Sequence, residues 1–568
     1  MSRISKYSLG VVLLLWVVLA LQVKAQDTAL AYRVVNVLAS DSLQGRLTGS
    51  EGERKAASFL FNEFKKLGLI GEGGGGYHTF EVITGLKPGE MNYLCDGECP
   101  GEYGVDYVAA SFSASAEADA PLVDAGYGFR MLTDSIKRDD YEGLTVKDKI
   151  VLIHKGVPAE GKGQEWMREH ASDREKVMVA SDLGAAGVIL VMPAGAPLPE
   201  LHYDKVGSSV SIPVMYFTQE QGKCLEQHGL GKNMRMTVSL ELVKEKSRNV
   251  YGILKGTDPR LRDEYIVVGA HYDHLGLGGP GSGSRMPDTV AIHYGADDNA
   301  SGVAGVLEVA RYFINNRIPT SRSILFVAFS GEEMGLLGSA AFMENPPIAT
   351  DKIVAMINFD MIGRMNRQSQ AISIGGTGTA AESQSILDSL MALVSLKATY
   401  SPEGFGPSDH ASFYAKNIPV FYFNSGIHTD YHTPFDRPEK INYQGLVTIS
   451  ETGARLAQTL ANRNQRLTFR EAGPKTRTSS RQGLKVTLGI MPDFTGGDIK
   501  GLRVAGVTPG GPASMSGMQK GDIIVALDGK SVNDIYEYMN RLKGLRKGQR
   551  VNVDVMRGNE KIILIVDL

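Results

Sequence analysis

The sequence predicts an α/β protein organised around a layered sheet. Three observations carry this expectation. From about residue 246 to 465, short apolar, β-branched runs alternate with amphipathic helical segments. Acids and histidines recur at the carboxyl ends of those runs, where an open α/β sheet gathers its ligands. One run, Ile324 to Phe329, exits into Ser330-Gly331-Glu332-Glu333-Met334-Gly335. Neighbouring side chains there point different ways, so one carboxylate can hold a metal while the other stays free as a base.

At 568 residues the chain is too long for one domain, and its length suggests roughly three or four. Hydrophobic content of 43% and charged content of 22% are those of globular protein. The net charge of -3 and the lack of a basic stripe argue against nucleic acid and anionic membrane as partners. Residues 1–25 read as a signal peptide, with Arg3 and Lys6 before an apolar Leu9 to Leu21 and cleavage expected after Ala25. No later apolar run is long enough to span a membrane once the leader is removed. No cysteine follows the apolar region, which argues against a lipoprotein. The expected location is therefore exported, periplasmic or extracellular. Of the three cysteines, Cys95 and Cys99 are spaced to pair around Asp96-Gly97, leaving Cys224 as a buried free thiol.

In chain order, helical spacing covers Ala29 to Leu38 and Glu51 to Leu67, the second ending at Gly68. Between them lies the polar turn Gly45-Arg46-Leu47-Thr48-Gly49-Ser50. From about 100 to 245 the texture changes to short strands and turns. Lys149 to Ile153, Val188 to Val191 and Ile212 to Phe217 read as strands, and Val177 to Leu183 as a helix. No clustered ligand-type residues occur here, which suits an inserted non-catalytic domain. Then follow the strand Tyr265 to Ala270 with His271-Tyr272-Asp273-His274, and Asp297-Asp298-Asn299 ahead of a helix bearing Val303, Val306, Leu307, Ala310 and Ile314. Next are the paired-glutamate strand, the strand Ile353 to Phe359 ending at Asp360, and a helix near Glu382 to Leu396. Ser408-Asp409-His410 opens another helix. A last strand, Val420 to Phe423, precedes Tyr431-His432, and a long helix Tyr443 to Leu460 closes the region. A basic linker, 466–482, leads to a compact final domain over 483–568.

His271, Asp273, Asp298, Glu332, Glu333, Asp360 and His432 thus stand at consecutive strand exits. Singly, each has a plain structural reading, such as Asp298 as a helix cap. Together, two imidazoles and three carboxylates are a donor set for two metal ions with one carboxylate bridging. Nitrogen and oxygen donors without thiolate suit zinc, cobalt or manganese.

With those motifs in place, the region 246–465 resembles the secreted co-catalytic di-zinc aminopeptidases, metallopeptidase family twenty-eight, of the bacterial leucyl aminopeptidase and aminopeptidase Y type. The matching stretches are His271-Tyr272-Asp273, Asp298-Asn299-Ala300-Ser301-Gly302, Ser330 to Gly335, Asn358-Phe359-Asp360-Met361 and Tyr431-His432-Thr433-Pro434-Phe435-Asp436. Gly45 to Ser50 is similar to the family's N-terminal segment. Residues 100–245 resemble a protease-associated domain, and 483–568 a PDZ domain through Leu488-Gly489-Ile490-Met491 and Gly521-Asp522-Ile523-Ile524. The implied fold is a three-layer α/β/α mixed-sheet zinc-peptidase domain (26–99 with 246–465), a mostly-β insertion and a C-terminal PDZ domain.

The resemblance also implies roles. One Zn2+ takes His271 and Asp360, the second takes Glu333 and His432, and Asp298 bridges them. Asp273 orients His271, Glu332 is the general base and Tyr431 donates to the oxyanion. A cis peptide is implied at Asp298-Asn299. Asp297, a second acid before the bridge, leaves the choice of ligand open. Ser408, Asp409, His410 and Phe413 are candidates for the substrate pocket, and Leu488 to Met491 for a loop that holds a C-terminal peptide, with a groove helix near Val532 to Leu542. The implied substrate is a peptide or protein N-terminus. Alternatives are a glutaminyl-cyclase-like enzyme with one zinc, a dipeptidase or carboxypeptidase, and an inactive peptide-binding relative.

Overall fold

The computed structural model describes residues 27–568 apart from 71–73, 96–97, 133–136, 159–163, 170, 204–209, 474, 476–485, 493–500, 509, 533–537, 539–540, 543–544 and 559. The expected leader and most of the expected PDZ groove helix lie outside the described residues. Two compact units form, one holding the residues up to Val82 and from Lys246 on, the other Ile83–Glu245.

The first unit contains an eight-stranded mixed sheet. Its strands are β1 (Gly76–Pro88), β2 (Leu240–Leu254), β3 (Tyr265–His271), β4 (Ser323–Phe329), β5 (Ile353–Phe359), β6 (Ala371–Gly375), β7 (Lys397–Tyr400) and β8 (Val420–Asn424). The spatial order is β1-β2-β4-β3-β5-β8-β6-β7. The centre is parallel: β3 pairs β4 and β5, and β5 pairs β8. Those central strands are continuous apolar runs because both faces are covered. In β4, Ile324, Phe326 and Ala328 enter one core, and Leu325, Val327 and Phe329 enter the other. Helices α1 (Ala29–Leu38), α2 (Glu51–Lys66), α3 (Gly302–Asn315), α5 (Ser383–Met391) and α7 (Tyr443–Ala461) pack on the first face. The short helices α4 (Leu337–Glu344) and α6 (His410–Tyr414) cover the second. This is the three-layer α/β/α arrangement that the family resemblance implied, built on the layered α/β sheet expected from the alternating pattern.

Local chemistry sets the ends of these elements. Ser50 caps α2 by accepting the backbone N–H of Glu53, and the chain turns out of α2 through Gly68 at φ +72°. The expected helix near 382–396 stops at Met391 because Lys397–Tyr400 instead pairs with β6. Neither β6 nor β7 has the apolar density that marks the central strands. Segment 296–301 is a wide, wholly buried turn ahead of α3, with a cis peptide at Asp298-Asn299. Beyond α7, Arg466 donates to Glu264 and residues near Phe469 bridge to Ala380, so the first part of the expected linker is held on this unit.

The second unit is a seven-stranded sheet with its own two cores. Ile150–His154, Gly187–Val191 and Val214–Phe217 are its parallel centre. It begins at Ile83 rather than near 100, because Tyr93–Cys95 pairs with Asn233–Val238 in this sheet. The expected Cys95–Cys99 pairing is corrected: Cys99 is bonded to Cys224, 125 residues away. Strand pairing fixes Cys95 opposite Arg235. Cys99 instead lies in the core against the end of the helix Gln219–Cys224, so Cys224 is not a free thiol. The C-terminal domain has a separate core that includes Leu488, Val504, Ile524, Val553 and Val566.

Candidate metal centre

The carboxyl ends of β3, β4 and β5 bring the expected donors together. His271 ends β3, Asp360 follows β5, and the buried turn before α3 presents Asp298 between them. The two oxygens of Asp298 face opposite ways. Oδ1 lies 3.3 Å from His271 Nε2, which is also 3.5 Å from Asp360 Oδ1. Oδ2 lies 3.1 Å from His432 Nε2, which is 3.2 Å from Glu333 Oε2. Two donor groups therefore share one carboxylate. His432 is held there at φ +55°, a left-handed conformation costly for a residue with a Cβ.

The tautomers bear on what the groups can hold. His432 Nδ1 is 3.0 Å from the Gly283 carbonyl, and His271 Nδ1 is 3.3 Å from the Asp273 carbonyl. A ring that donates from Nδ1 turns the lone pair of Nε2 toward the carboxylates, a repulsive arrangement unless a proton or a cation lies between. Asp360 Oδ1 is buried with no hydrogen-bond partner. A buried carboxylate oxygen in that state is costly without a cation. The residues therefore fit metal binding, and His271, Asp298 and Asp360 form one compact group of possible ligands.

The second group also includes His274, which the motif reading passed over. Its Nδ1 donates to Glu333 Oε1 at 2.8 Å, and with Asp298 and Glu333 it too could hold a metal. The available signal was its place at the same strand exit, one residue beyond Asp273.

The paired glutamates differ in their surroundings. Burial pushes the Glu333 carboxyl up, but His432 and His274 outweigh it and hold the group down to about 2. For Glu332, burial and the neighbouring Glu333, Asp409 and Asp360 charges outweigh His271 and hold it well above the carboxylate range. Burial disfavours the charged forms of His271 and His432, yet Glu332 and Asp360 for the first, and Glu333 and Asp298 for the second, keep both well above an ordinary imidazole.

Around the donors lies a frame of hydrogen bonds. Asp273 accepts the backbone N–H of Glu332 on Oδ1 at 3.1 Å, and that of Glu333 on Oδ2 at 3.3 Å. Thr48 donates to the same Oδ2 at 2.9 Å. Asp436 Oδ2 accepts the N–H groups of Asp297 and Asp298 at 2.9 and 3.0 Å. Asp297 turns away from the donors, accepting from Gly363 N–H and Ser301 and facing His428 at 3.2 Å. Arg46 is fully buried and donates to the carbonyls of Leu38, Tyr272, Tyr294 and Gly295, tying the β3 exit to the approach of the Asp298 turn. The polar turn Gly45–Ser50 thus reaches the centre from far along the chain.

Tyr431 stacks on His432 with ring centroids 3.9 Å apart. Burial and the charges of Asp298 and Glu333 hold its phenol well above the usual range. Tyr422, absent from the sequence reading, is raised by burial and then by Asp360 and Glu332. Ser408 accepts from Asn358, and its hydroxyl acts on Asp360. Asp409 is buried with both oxygens unpaired and is pushed up to about 7, chiefly by burial. His410 stacks on Tyr422 at 4.4 Å. Phe413 is corrected as a pocket residue: it is fully buried in the second-face core against Phe329 and Phe342. The inner side of α6 faces the sheet, which puts Phe413 under the site. In the PDZ domain, Leu488 is buried, Gly489 stands at φ +70°, and Ile490 and Met491 pair with Val507 and Gly506.

Comparison with known proteins places these features in context. Residues 249–457 match the sequence profile of Peptidase family M28, residues 118–225 that of the PA domain and residues 475–568 that of the PDZ domain. Aminopeptidase YwaD of Bacillus subtilis is 26% identical over 433 residues, which are 73% of this chain and 81% of that protein. Leucine aminopeptidase 2 of Arthroderma otae is 24% identical over 417 residues, 70% of each chain. Among solved structures, BSAP, a zinc aminopeptidase from Bacillus subtilis, aligns with a TM-score of 0.47 and 23% identity over 78% of this chain and 98% of its own.

Proposed function

From a chain that carries a peptidase family M28 domain with PA and PDZ domains, we propose an exported zinc aminopeptidase that removes N-terminal residues from peptides. The observation that carries this reading is the divided carboxylate of Asp298, with one oxygen toward His271 and Asp360 and the other toward His432 and Glu333. Two Zn2+ are the proposed cofactors, the first held by His271 and Asp360, the second by Glu333 and His432, with Asp298 common to both. When bound, zinc supplies Lewis acidity to a carbonyl and to water.

This chain's own residues supply the proton chemistry. Glu332 takes a proton from the attacking water as its oxygen bonds to the scissile carbonyl carbon. It returns that proton to the leaving amine as the C–N bond breaks. Asp273 holds the Glu332 and Glu333 N–H groups and so fixes the turn that separates the two roles. Tyr431 donates a hydrogen bond from its hydroxyl to the oxygen of the tetrahedral intermediate, a reading supported by its stacking on His432. Export is supported by the leader-like residues 1–25 and by the Cys99–Cys224 bond, which favours an oxidising compartment. No helix of the described residues is long and apolar enough to cross a membrane. The PDZ loop Leu488–Met491 is proposed to take a C-terminal peptide.

The test is hydrolysis of an aminoacyl-nitroanilide panel by the full chain, with zinc counted per protein. Turnover that stops with a chelator and returns with zinc is the expected result. A zinc-loaded protein inert on aminoacyl substrates sinks the reading, and a functional stoichiometry of one zinc favours the cyclase-like alternative.

A further inference from the structure

A second concavity adjoins the ligand-bearing loops. A cavity of about 440 Å³ is walled on one side by Ser425–Thr429, which stops three residues short of His432, and by Arg364, four residues past Asp360. Its other wall includes Arg503 and Lys520 of the PDZ domain. None of its described lining residues is Asp or Glu, although the protein as a whole carries a net charge of -3.

Three described acids near the wall are each paired with a cation or an imidazole. Asp430 is held by Arg364 at 3.0 Å and by Lys440 at 2.9 Å. Asp297 faces His428 at 3.2 Å, and Asp522 pairs with Arg557 at 2.8 Å. Those pairs fix Arg364 and His428 in the wall, and no described carboxylate lines the cavity. Arg503 and Lys520, with Arg364 already shared with Asp430 and no carboxylate among the described lining residues, form a site for a negatively charged group, and a walled site strengthens such an attraction relative to open solvent. Arg503 stands at the opposite end of its strand, Leu502–Val507, from Val507, the residue that pairs with Ile490 of the expected peptide loop. The cavity is therefore separate from that loop.

We propose that this cavity is a subsite for a carboxylate of the bound peptide, so that the PDZ domain contributes Arg503 and Lys520 to substrate selection. This rests on the aminopeptidase reading for the peptide's direction: the N-terminal amine enters at the metal centre and the chain extends toward the cations. A C-terminal carboxylate of a short peptide and an acidic side chain share the required chemistry.

The experiment uses the full zinc-loaded chain and its Arg503→Glu/Lys520→Glu variant. Four leucine-initiated substrates are compared: a short neutral peptide with a free C-terminus, the same peptide amidated, an amidated peptide carrying one Glu, and leucine-p-nitroanilide. The variant is expected to lower kcat/KM for the free acid about tenfold, mostly through KM, while hydrolysis of the nitroanilide and the neutral amide stays level. A matching loss on the Glu-containing amide identifies a side-chain carboxylate as a source, and a loss on the free acid alone identifies the C-terminus. Equal change on all four substrates, or no change on any, overturns the proposal. Calorimetric binding of the free acid against its amide to the Glu332→Gln chain gives a readout independent of turnover. Tighter binding of the acid that disappears with the charge reversal supports the subsite even if the aminopeptidase reading fails. Equal binding of acid and amide rejects the subsite even if that reading holds.

Discussion

The carboxylate of Asp273 receives the backbone N–H of Glu332 at 3.1 Å, so a residue just beyond the end of β3, between His271 and His274, fixes the conformation of the turn after β4. The same carboxylate takes the N–H of Glu333 and the hydroxyl of Thr48. An amide in its place offers one acceptor oxygen and an NH2 that clashes with a donor. Asp273→Asn is expected to lower kcat or zinc affinity by about 10–100-fold, the usual cost of losing a partner behind metal ligands. Steady-state kinetics with zinc titration checks this. Unchanged values for both would remove Asp273 from the positioning role.

Glu332 and Glu333 should part company under the same substitution. Glu332→Gln is expected to keep full zinc occupancy and lose about 10²–10⁴ in kcat, the range for removing a general base. Glu333→Gln should instead lose zinc from one site. Metal analysis beside kcat separates the outcomes, and loss of zinc from the Glu332 variant would mean that the two roles are exchanged.

Arg46 joins three segments through carbonyl oxygens alone. Burial pulls its guanidinium down to about 10, against the charges of Asp273, Asp298, Asp436 and Glu333 that favour the cation. Arg46→Met strands several buried carbonyls and removes the cation beneath the acidic centre. A loss of roughly 3–5 kcal/mol in stability is expected, as for breaking a buried charge network. Lysine keeps the charge but not the planar fork and should rescue only part of that loss. Denaturant unfolding of the two variants measures the difference, and equal stability of Arg46→Lys and wild type would refute the dependence on the fork.

His410 is buried, stacked on Tyr422, with Nδ1 unpaired, and burial drives its pKa down to about 3. The unfolded chain binds a proton at this residue below about pH 6.5, whereas the folded chain resists it until about pH 3. Folding stability therefore falls as pH drops through that window, and the penalty is absent above it. One proton's difference gives a slope of about 1.4 kcal/mol per pH unit. His410→Phe keeps the stacked ring and should flatten the pH dependence by that slope. Unfolding midpoints at several pH values between 4 and 7 provide the comparison, and parallel curves for the two proteins would refute it.

The Cys99–Cys224 bond closes a segment of 125 residues within the second unit. Loop-closure entropy puts its contribution at about 4–5 kcal/mol as an upper figure. Cys224→Ser should make Ile83–Glu245 the first region to open, seen as lost amide-exchange protection there, with the strands of the peptidase unit unaffected. Uniform loss of protection through both units would show that the bond stabilises more than its own unit.

Much of the fold was readable along the chain because its signals are local. Ile324–Phe329 is apolar at every position and Ile353–Phe359 at all but Asn358, and only strands covered on both faces need that pattern. Their exits carried His271, Glu332, Glu333 and Asp360, so the residue types that meet at the candidate site, and their order, were legible too. β6 and the edge strand β7 were not, since β6 is placed by pairing with β8 and β7 by pairing with β6, not by their own composition. Phe413 was misplaced for a related reason: a short helix does not declare which side faces the sheet.

The sequence by itself determined the layered α/β class and which acids and histidines stand at its strand exits, because chain order and residue chemistry suffice for those. Tertiary structure alone decided the rest. It joined Cys99 to Cys224 across a whole domain, and it turned Asp297 away to Gly363 and Ser301 while Asp298 faced the histidines. It also brought His274 to Glu333 and placed Arg46 beneath four separate carbonyls. These relationships join groups far apart in the chain, or choose between neighbours by the direction of one backbone turn, and neither is encoded in spacing.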